Sequence, residues 1–304
     1  MRRFFFMRMS EPALLHSAQQ DPVTGGAKKW MPYVIVGLGA LAYANSLGGP
    51  FIYDDLDSVP NNLQIRHLWP LRKAISAPPM TTVSGRPVVC LSLALNYAIS
   101  GLNVWSYHAF NIAVHLASAL LLFAIVNRTL LRPVFAGRFE RAAPWLAAAS
   151  TTLWMLHPIQ TEAVTYVIQR TELLVGFFFL LTLYCALRSW SSRHPGLWIA
   201  ASVFACALGM GSKEVMASAP IVVLLYDYTF ESVSIKAAWK RHRPLYIALA
   251  CTWLILAYFV NRGARAATVG WHLQVRPIDY LLTQAGVIVW YLRLCFWPRR
   301  RIRT

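Results

Sequence analysis

Charged side chains are scarce in this chain. Of its 304 residues, 13% are Asp, Glu, Lys or Arg and 57% are hydrophobic, and only 12 residues are acidic. A soluble domain usually carries about 25% charged residues. The composition therefore excludes an ordinary soluble protein and indicates an integral membrane protein.

Paired cysteines and nucleotide-binding motifs are also missing. The five cysteines lie within apolar segments and form no C-x-x-C pair, so neither disulfides nor zinc ligation is indicated. The chain has no G-x-G-x-x-G, G-x-x-x-x-G-K-[ST] or G-x-S-x-G motif, which argues against a soluble nucleotide site or a hydrolase nucleophile elbow. The formal net charge is +17, but the basic residues lie between apolar segments, as membrane topology requires, so we expect no nucleic-acid partner.

What the sequence does contain is a series of apolar runs. They predict an all-α, polytopic membrane protein with about eight transmembrane helices. A polar to amphipathic segment, 50–104, follows the first run. Within it, Asn96 and Arg86 make the stretch 87–102 more typical of an interfacial or re-entrant helix than of a span. The predicted spans are 30–47, 105–126, 144–156, 173–187, 197–210, 215–230, 244–260 and 278–297.

The distribution of charge predicts an orientation. If the tail 1–29 is cytoplasmic, the inner segments hold 19 of the 29 Lys and Arg residues and the outer segments hold 9. Seven of the 12 acids then fall on the outer side. Acids that converge at one membrane face beside basic and imidazole side chains are typical of a site, although outer loops also carry acids simply because they lack positive charge.

An acidic cluster directly follows the first predicted span. Asp54, Asp55 and Asp57 lie within the stretch 51–61. A pair of carboxylates at the mouth of a membrane helix can act as a general base, ligate a metal, or cap a solvated helix. All three interpretations stay open at this point.

A polar stripe is predicted on the second span. His108, Asn111 and His115 are spaced i, i+3 and i+7, so they share one face of a helix. In a membrane such a stripe faces protein or water, and it either joins helices by hydrogen bonds or lines a path. Metal ligation is less favoured, because the two imidazoles lie two turns apart.

Charged residues mark two further connections. Glu162 and Glu172 flank an amphipathic connector, and Arg170 opens the next span. An arginine at the membrane edge can hold a lipid phosphate with its planar fork, whereas Glu172 can simply cap the helix. Turn chemistry explains the glycines before Lys213 and Glu214, but it does not explain a Lys–Glu pair in a three-residue outer loop. Outward carboxylates with basic groups at the lipid boundary suggest transfer from a lipid phosphate.

The order of these motifs resembles the transmembrane-and-tetratricopeptide-repeat protein family over roughly residues 30–297. That family belongs to the GT-C class of glycosyltransferases and is related to the protein O-mannosyltransferases. The residues that carry the resemblance are Tyr53, Asp54, Asp55, Asn61, Arg86, Pro87, Leu95, Asn96, Tyr97, Gly101, Tyr107, His108, Asn111, His115, His157, Pro158, Thr161, Glu162, Ala163, Val164, Arg170, Glu172, Lys213 and Glu214.

The resemblance implies an inverting glycosyltransferase that uses a polyprenyl-phosphate monosaccharide, typically mannose. The acceptor would be a hydroxyl of protein Ser or Thr, or of a glycan, on the periplasmic or lumenal face of a bacterial inner membrane or endoplasmic reticulum membrane. Asp54 would be the general base with Asp55 beside it. No cofactor is implied, and a divalent metal at these two carboxylates stays open. The donor-phosphate candidates are Arg170, Lys213 and Arg86, and the supporting residues are Glu172, Glu214, Glu162, His157, His108, Asn111 and His115.

The resemblance also divides the chain. We expect a cytoplasmic basic tail, 1–29, a GT-C-like membrane domain, 30–297, whose outer loop 50–104 carries the acidic cluster, and a basic end, 298–304. Family members continue with further spans and tetratricopeptide repeats, which are absent here, so we expect a truncated product, a fragment or a minimal relative. Two alternatives stay open: a catalytically inactive membrane scaffold and a transporter or flippase. Against the second, no inverted repeat is evident and the acids gather at one face.

Overall fold

The computed structural model describes residues 29–78, 81–232, 234–261 and 277–296. These residues form helices and turns without any strand, so the predicted all-α class is confirmed. Nearly all of the tail 1–29, the end 298–304 and most of the outer segment 261–277 lie outside the described residues. The helices are α1 (Met31–Tyr43), α2 (Asp54–Ser58), α3 (Leu71–Ala74), α4 (Pro87–Ser100), α5 (Val104–Leu130), α6 (Ala143–Met155), α7 (Gln160–Thr165), α8 (Arg170–Ser191), α9 (Pro195–Met210), α10 (Ala219–Phe230), α11 (Ile235–Asn261) and α12 (Pro277–Phe296).

Three stretches of the described chain are long and apolar enough to cross a membrane. They are Met31–Gly48, Val104–Leu130 and Val167–Ser191. The second and third are longer than the predicted spans 105–126 and 173–187, because the helical backbone continues past the apolar side chains into polar ones. Shorter apolar helices occupy Pro87–Ser100, Pro195–Met210 and Leu281–Phe296.

Prolines mark the starts of several helices and a bend inside one of them. A proline stands in the first turn of α1, α4, α6, α9 and α10, where its missing N–H costs no intrahelical hydrogen bond. Helix α11 begins well before the predicted span 244–260, but its backbone leaves the helical region at His242 (φ −119°, ψ 24°), two residues before Pro244. The helix therefore bends at this point, as an internal proline requires.

The core is built around α8, which packs against α9, α5 and α4. Leu93 of α4, Phe178 of α8, Cys206 of α9 and Leu249 of α11 belong to one buried cluster. In a membrane this packing is favoured by van der Waals contact rather than by release of water. A smaller cluster joins α1 to α5 and α6 through residues that include Met31 and Met155.

Large apolar side chains also cover the outer surface of the helices. Leu41, Leu153, Phe204 and Leu254 are each more than 60% exposed. Isolated exposed apolar residues are normal in soluble proteins, but repetition on α1, α6, α9 and α11 indicates a surface that faces lipid. The free thiols of Cys251 and Cys295 also lie on exposed surfaces, whereas those of Cys90, Cys185 and Cys206 are buried, as small apolar side chains would be.

The segment between α1 and α5 positions the acidic cluster. A 3₁₀ turn, Ala44–Gly48, ends the first apolar stretch, and α2 follows after five residues. Helix α4 lies in the protein interior, with Val89, Leu93 and Asn96 buried. The turn that precedes α4, residues 81–86, brings the chain back beside α2.

Candidate functional site

Asp55 lies in the protein interior. Its side chain is 1% exposed, and each carboxylate oxygen accepts a hydrogen bond from a backbone N–H. Oδ1 lies 2.8 Å from the Ile168 nitrogen, and Oδ2 lies 3.1 Å from the Ile52 nitrogen. Burial raises the pKa of Asp55 above its ordinary value, and the two backbone donors oppose that shift. This carboxylate therefore fastens α2 to the segment that leads into α8.

Asp54 faces the other way and is exposed. Its Oδ2 accepts a hydrogen bond from the Thr82 hydroxyl at 3.0 Å, and its backbone nitrogen donates to the Tyr166 hydroxyl at 3.0 Å. Among the described residues, Oδ1 has no hydrogen-bond partner. Asp54 thus presents one oriented and one open carboxylate oxygen, as a general base needs.

A positive φ angle stands directly before Asp54. Tyr53 has φ 45° and ψ −120°, outside the regions that bulky L-residues normally occupy, and its side chain is largely exposed. Such backbone strain often accompanies functional sites, where the surrounding structure enforces it. Here the enforcement comes from the contacts that hold Asp54 and Asp55 on either side of α2.

Arg86 lies at the end of the turn that carries Thr82. Gly85 has φ +74°, which an L side chain would adopt only with strain, and this conformation lets Arg86 N donate to Val83 O at 3.0 Å. The guanidinium donates to the Thr82 carbonyl at 3.0 Å and forms an ion pair with Glu214 at 3.6 Å. Burial lowers the pKa of Arg86. Its Nε is buried without a partner in the described chain.

Lys213 and Glu172 form a second ion pair beside the first. The Lys213 ammonium contacts the Glu172 carboxylate, and both side chains are partly exposed. The turn that carries Lys213 packs against the start of α4, where Val88 N donates to Gly211 O at 3.2 Å. A Cβ at Gly211 would come within 2.9 Å of a Val88 methyl group, so close approach of the two chains explains this glycine.

The structure thus brings five of the predicted residues into one connected network. Thr82 contacts Asp54 through its hydroxyl and Arg86 through its carbonyl, Arg86 contacts Glu214, and the adjacent Lys213 contacts Glu172. The network joins an exposed carboxylate to the partly exposed Lys213 and to the largely buried Arg86. We call Asp54, Arg86, Glu172, Lys213 and Glu214 the acid–base cluster.

Arg170 lies in the interior and outside this cluster. Its side chain is 0% exposed. Nε donates to Asn111 Oδ1 at 2.9 Å, one terminal nitrogen to Asn96 Oδ1 at 2.6 Å, and the other to the Tyr107 carbonyl at 3.0 Å. The guanidinium also lies over the Phe110 ring, 4.3 Å from its centroid. These contacts join α4, α5 and α8, and they leave no open face for a lipid phosphate, so that role of Arg170 stays a prediction that requires the network to open.

The predicted polar stripe on α5 faces protein. His108, Asn111 and His115 are all buried. Each contacts a backbone carbonyl of another segment, through Nε2 of the two imidazoles and through the Asn111 amide. The partners are Gly49 at 3.0 Å, Val167 at 3.2 Å and Met155 at 3.0 Å, in that order. The stripe therefore holds helices together in this structure, without lining an open path.

His157 and Glu162 lie on the connection between α6 and α8. His157 Nε2 is 2.9 Å from the Cys295 carbonyl of α12. Glu162 is exposed and accepts a hydrogen bond from Gln169 at 3.4 Å. Neither joins the acid–base cluster through a hydrogen bond or ion pair that the described residues form.

No residue set suited to a metal stands out in the described ranges. They contain no group of three or more His, Cys, Asp or Glu side chains placed to hold an ion. Asp55, one of the two carboxylates considered for a divalent metal, already accepts a backbone N–H on each oxygen. A metal at Asp54 and Asp55 stays a prediction.

Sequence reasoning missed the residues that orient Asp54. Thr82 and Tyr166 are ordinary polar residues in their local sequence, and neither belongs to a charged motif. They reach Asp54 over 28 and 112 residues of sequence. The one available signal was their position: Thr82 comes four residues before Arg86, and Tyr166 comes two residues after Val164.

Comparison with known proteins finds relatives that carry the name protein O-mannosyl-transferase. The protein O-mannosyl-transferase TMTC2 of Homo sapiens is 32% identical to it over 251 residues, which cover 77% of this chain and 28% of the relative. Tmtc2 of Drosophila melanogaster is 32% identical over 204 residues, covering 62% and 21%, and TMTC4 of Mus musculus is 27% identical over 203 residues, covering 61% and 27%. No family model matches the chain, and no solved structure matches it.

The resemblance seen in the sequence motifs is therefore confirmed: the homologues of this chain are transmembrane-and-tetratricopeptide-repeat proteins that carry the name protein O-mannosyl-transferase. The chain spans about a quarter of the length of the curated relatives it matches, with 21–28% of each relative covered.

Proposed function

We propose, from its homology to protein O-mannosyl-transferases, that this chain transfers mannose from a polyprenyl-phosphate donor to a Ser or Thr hydroxyl of a protein. The relatives' name supports mannosyl transfer to protein. The lipid-linked donor is our extension, supported by the two cations, Arg86 and Lys213, that belong to the same acid–base cluster as the exposed carboxylate. A glycan hydroxyl is the second acceptor that this chemistry admits.

One observation carries the proposal. Asp54 is exposed, has one carboxylate oxygen oriented by Thr82, and is connected through that residue to Arg86 and its neighbours in the acid–base cluster. A base and a phosphate-binding cation held by one turn are the two parts that glycosyl transfer from a phosphate requires.

In the proposed reaction the acceptor oxygen attacks the anomeric carbon of the donor. A new carbon–oxygen bond forms while the bond from the anomeric carbon to the phosphate oxygen breaks, which inverts the configuration. The acceptor proton passes to Oδ1 of Asp54. The bonding electron pair leaves with the polyprenyl phosphate, whose added charge Arg86 and Lys213 stabilise. Both cations are paired with carboxylates, Glu214 and Glu172, which hold them in position and are partly exposed.

The proposal assigns different tasks to the remaining predicted residues. Arg170 stands first among the donor-binding candidates in the sequence, but it would reach a phosphate only if its buried contacts opened, so we now place it behind Lys213 and Arg86. Asp55 would keep Asp54 in place through the contact with Ile168. The other supporting residues would keep the helices in register through their backbone contacts.

The same proposal fixes a membrane arrangement. It combines a GT-C-like architecture of about eight spans, a cytoplasmic tail 1–29, and a membrane domain 30–297 whose loop 50–104 faces the periplasm or lumen. The basic end 298–304 would then be cytoplasmic. The excess of Lys and Arg in the inner segments supports this orientation.

The test is sugar transfer by the full chain in membranes. We would supply radiolabelled polyprenyl-phosphate mannose and a Ser/Thr acceptor peptide, and compare the wild type with Asp54→Asn. The amide keeps the size and the hydrogen bond from Thr82 but cannot accept the proton, so we expect transfer to fall by roughly 100-fold to 10,000-fold.

Asp57→Asn is the matched control. Asp57 is an exposed carboxylate on the same short helix, and its partner is Asn61, at 3.1 Å, rather than a member of the acid–base cluster. Its substitution should leave transfer within about threefold of the wild type. Equal transfer by wild type and Asp54→Asn would remove Asp54 as the base. Absence of transfer by the wild type would favour an inactive membrane scaffold.

A further inference from the structure

We infer that Thr82 is a positioning residue for the proposed transfer, because its hydroxyl orients the Asp54 carboxylate while its carbonyl orients the Arg86 guanidinium. The inference rests on the proposed function and extends it to a residue that no sequence motif indicates. In this inference Thr82 sets the position of the base, Asp54, relative to Arg86, the cation that stabilises the leaving phosphate.

The first half of the argument concerns the carboxylate. The Thr82 hydroxyl donates to Asp54 Oδ2 at 3.0 Å, and Asp54 N donates to the Tyr166 hydroxyl at 3.0 Å. Two contacts from separate parts of the chain therefore fix both the backbone and the side chain of Asp54. The Thr82 contact occupies Oδ2 and leaves Oδ1 to the acceptor hydroxyl. Without it, the carboxylate could rotate about its side-chain bonds, since an exposed Asp has little else to restrict it.

The second half concerns the cation. Arg86 donates to the Thr82 carbonyl at 3.0 Å, and its side chain is only 10% exposed. Residues 81–86 form a tight turn in which Ser84 N donates to Thr81 O and Arg86 N donates to Val83 O, each at 3.0 Å. The Thr82 carbonyl and hydroxyl therefore move with one small, hydrogen-bonded unit. Any displacement of this unit shifts the base and the cation together.

The chemistry explains why such a bridge matters. In an inverting displacement the attacking oxygen and the leaving oxygen lie on opposite sides of the anomeric carbon. The proton moves from the attacking oxygen to Asp54, and the electron pair of the broken bond moves to the phosphate near Arg86. The distance between the Asp54 carboxylate and the Arg86 guanidinium must therefore match the distance between the attacking and leaving oxygens. An error of about 1 Å can cost roughly 100-fold in rate. A hydrogen-bonded bridge through one residue keeps that separation constant.

The inference can be tested with three substitutions in the same turn. Thr82→Val keeps the shape and the carbonyl but removes the hydroxyl, and Thr82→Ser keeps the hydroxyl. Thr81→Val is the matched control, because among the described residues the Thr81 hydroxyl donates to the Pro78 carbonyl, at 2.9 Å, and not to the acid–base cluster. Each full-length variant would be assayed in membranes at equal protein level, beside wild type and Asp54→Asn, with kcat and the KM for polyprenyl-phosphate mannose measured separately.

We expect Thr82→Val to lower kcat by roughly 10-fold to 100-fold, as loss of a hydrogen bond to a charged group would. The donor KM should stay within about twofold, because the carbonyl that holds Arg86 is retained. Thr82→Ser should restore kcat to within about threefold of the wild type, and Thr81→Val should match the wild type.

Other patterns overturn the inference in ways that can be told apart. A normal kcat for Thr82→Val with an inactive Asp54→Asn would reject the role of Thr82 and keep the proposed function. A serine variant as slow as the valine variant, or an equal loss in Thr81→Val, would show that the turn matters only structurally. Wild-type membranes that transfer no sugar would reject the proposed function and this inference with it.

Discussion

A buried guanidinium is costly unless each donor meets an acceptor. Each of the three guanidinium nitrogens of Arg170 donates to at least one neutral oxygen, on Asn96, Asn111 or the Tyr107 carbonyl, and a weaker contact of 3.4 Å reaches the Ser92 hydroxyl. The planar fork of arginine suits three divergent acceptors in a way that a lysine ammonium does not. Arg170 therefore fixes how α4, α5 and α8 lie against one another.

Arg170→Met tests this structural role. The substitution keeps an apolar stem but leaves buried acceptors on Asn96, Asn111 and Tyr107 without their donor, so we expect the free energy of unfolding to fall by about 3 kcal/mol. The measurement is thermal or denaturant unfolding of purified protein in detergent. Arg138→Met is the control, since Arg138 is exposed and should change stability by less than about 0.5 kcal/mol. Similar stabilities for the two variants would contradict this structural role of Arg170.

Asp54 and Asp55 are adjacent in sequence, but one is exposed and the other is buried. Successive residues of a helical turn point about 100° apart, so only one of the pair can face the interior. Asp55 takes the interior side, where it accepts from Ile168 and Ile52, and Asp54 takes the exposed side beside Thr82. Burial raises the pKa of Asp55, while its two backbone donors oppose that shift and tie the carboxylate to the local fold.

At the scale of elements, α1 approaches α5 and α6 through a glycine. A Cβ at Gly39 would come 2.7 Å from the Met155 sulfur and would also overlap a methyl group of Leu116. At Gly37, on the same helix, a Cβ would meet no atom within 4 Å. Close helix contact through small residues is the usual way in which membrane helices gain van der Waals energy.

These two glycines provide a matched pair of substitutions. Gly37→Ala and Gly39→Ala gain the same helix propensity, so their difference reports only the contact with α5 and α6. We expect Gly39→Ala to be less stable than Gly37→Ala by about 1–2 kcal/mol, because Leu116 and Met155 must shift to accept the added methyl group. Thermal unfolding in one detergent compares them. Equal stability would mean that α1 is packed more loosely than the structure indicates.

Most residues of the acid–base cluster lie in the short segments that connect the long helices. Asp54 lies at the start of the short helix α2, Arg86 at the end of the turn before α4, and Lys213 in the turn after α9. Arg86 and Lys213 each lie next to a longer helix, α4 or α9, that is packed into the core, so the turns that carry them are positioned by rigid neighbours. Functional residues on loops held by a rigid scaffold are a common arrangement in proteins.

At the scale of the whole molecule, the proposal depends on which side of the membrane carries Asp54. Leu63→Thr tests this, because it completes an Asn-x-Thr sequon at Asn61, and both residues are exposed. Expressed in a eukaryotic cell, this variant should gain a glycan that an endoglycosidase removes, since only the lumenal face is glycosylated. Adding Asn61→Gln to this variant should abolish the glycan.

The natural sequon at Asn127 provides the opposite arm of the same experiment. It lies at the far end of α5, which the charge distribution predicts to be cytoplasmic, and Asn127 is buried. We expect it to remain unmodified. A glycan at Asn127, together with none in the Leu63→Thr variant, would reverse the orientation and put Asp54 in the cytosol.

The sequence by itself determined the membrane class, the helical fold class and the order of the motifs. Apolar runs must form helices in a bilayer, because every backbone N–H and C=O needs a partner within the segment, and this constraint can be read locally. Helix ends were less predictable, as in α5 and α11, because polar side chains can continue a helix beyond its apolar part.

Only the tertiary structure decided which motif residues meet. It put Asp55 and Arg170 in the interior, left Asp54 exposed, and brought in Thr82 and Tyr166, which no motif contains. The physical reason is distance along the chain. The hydrogen bonds that set these roles join residues 28 to 113 positions apart, and their geometry depends on how packed helices direct each side chain.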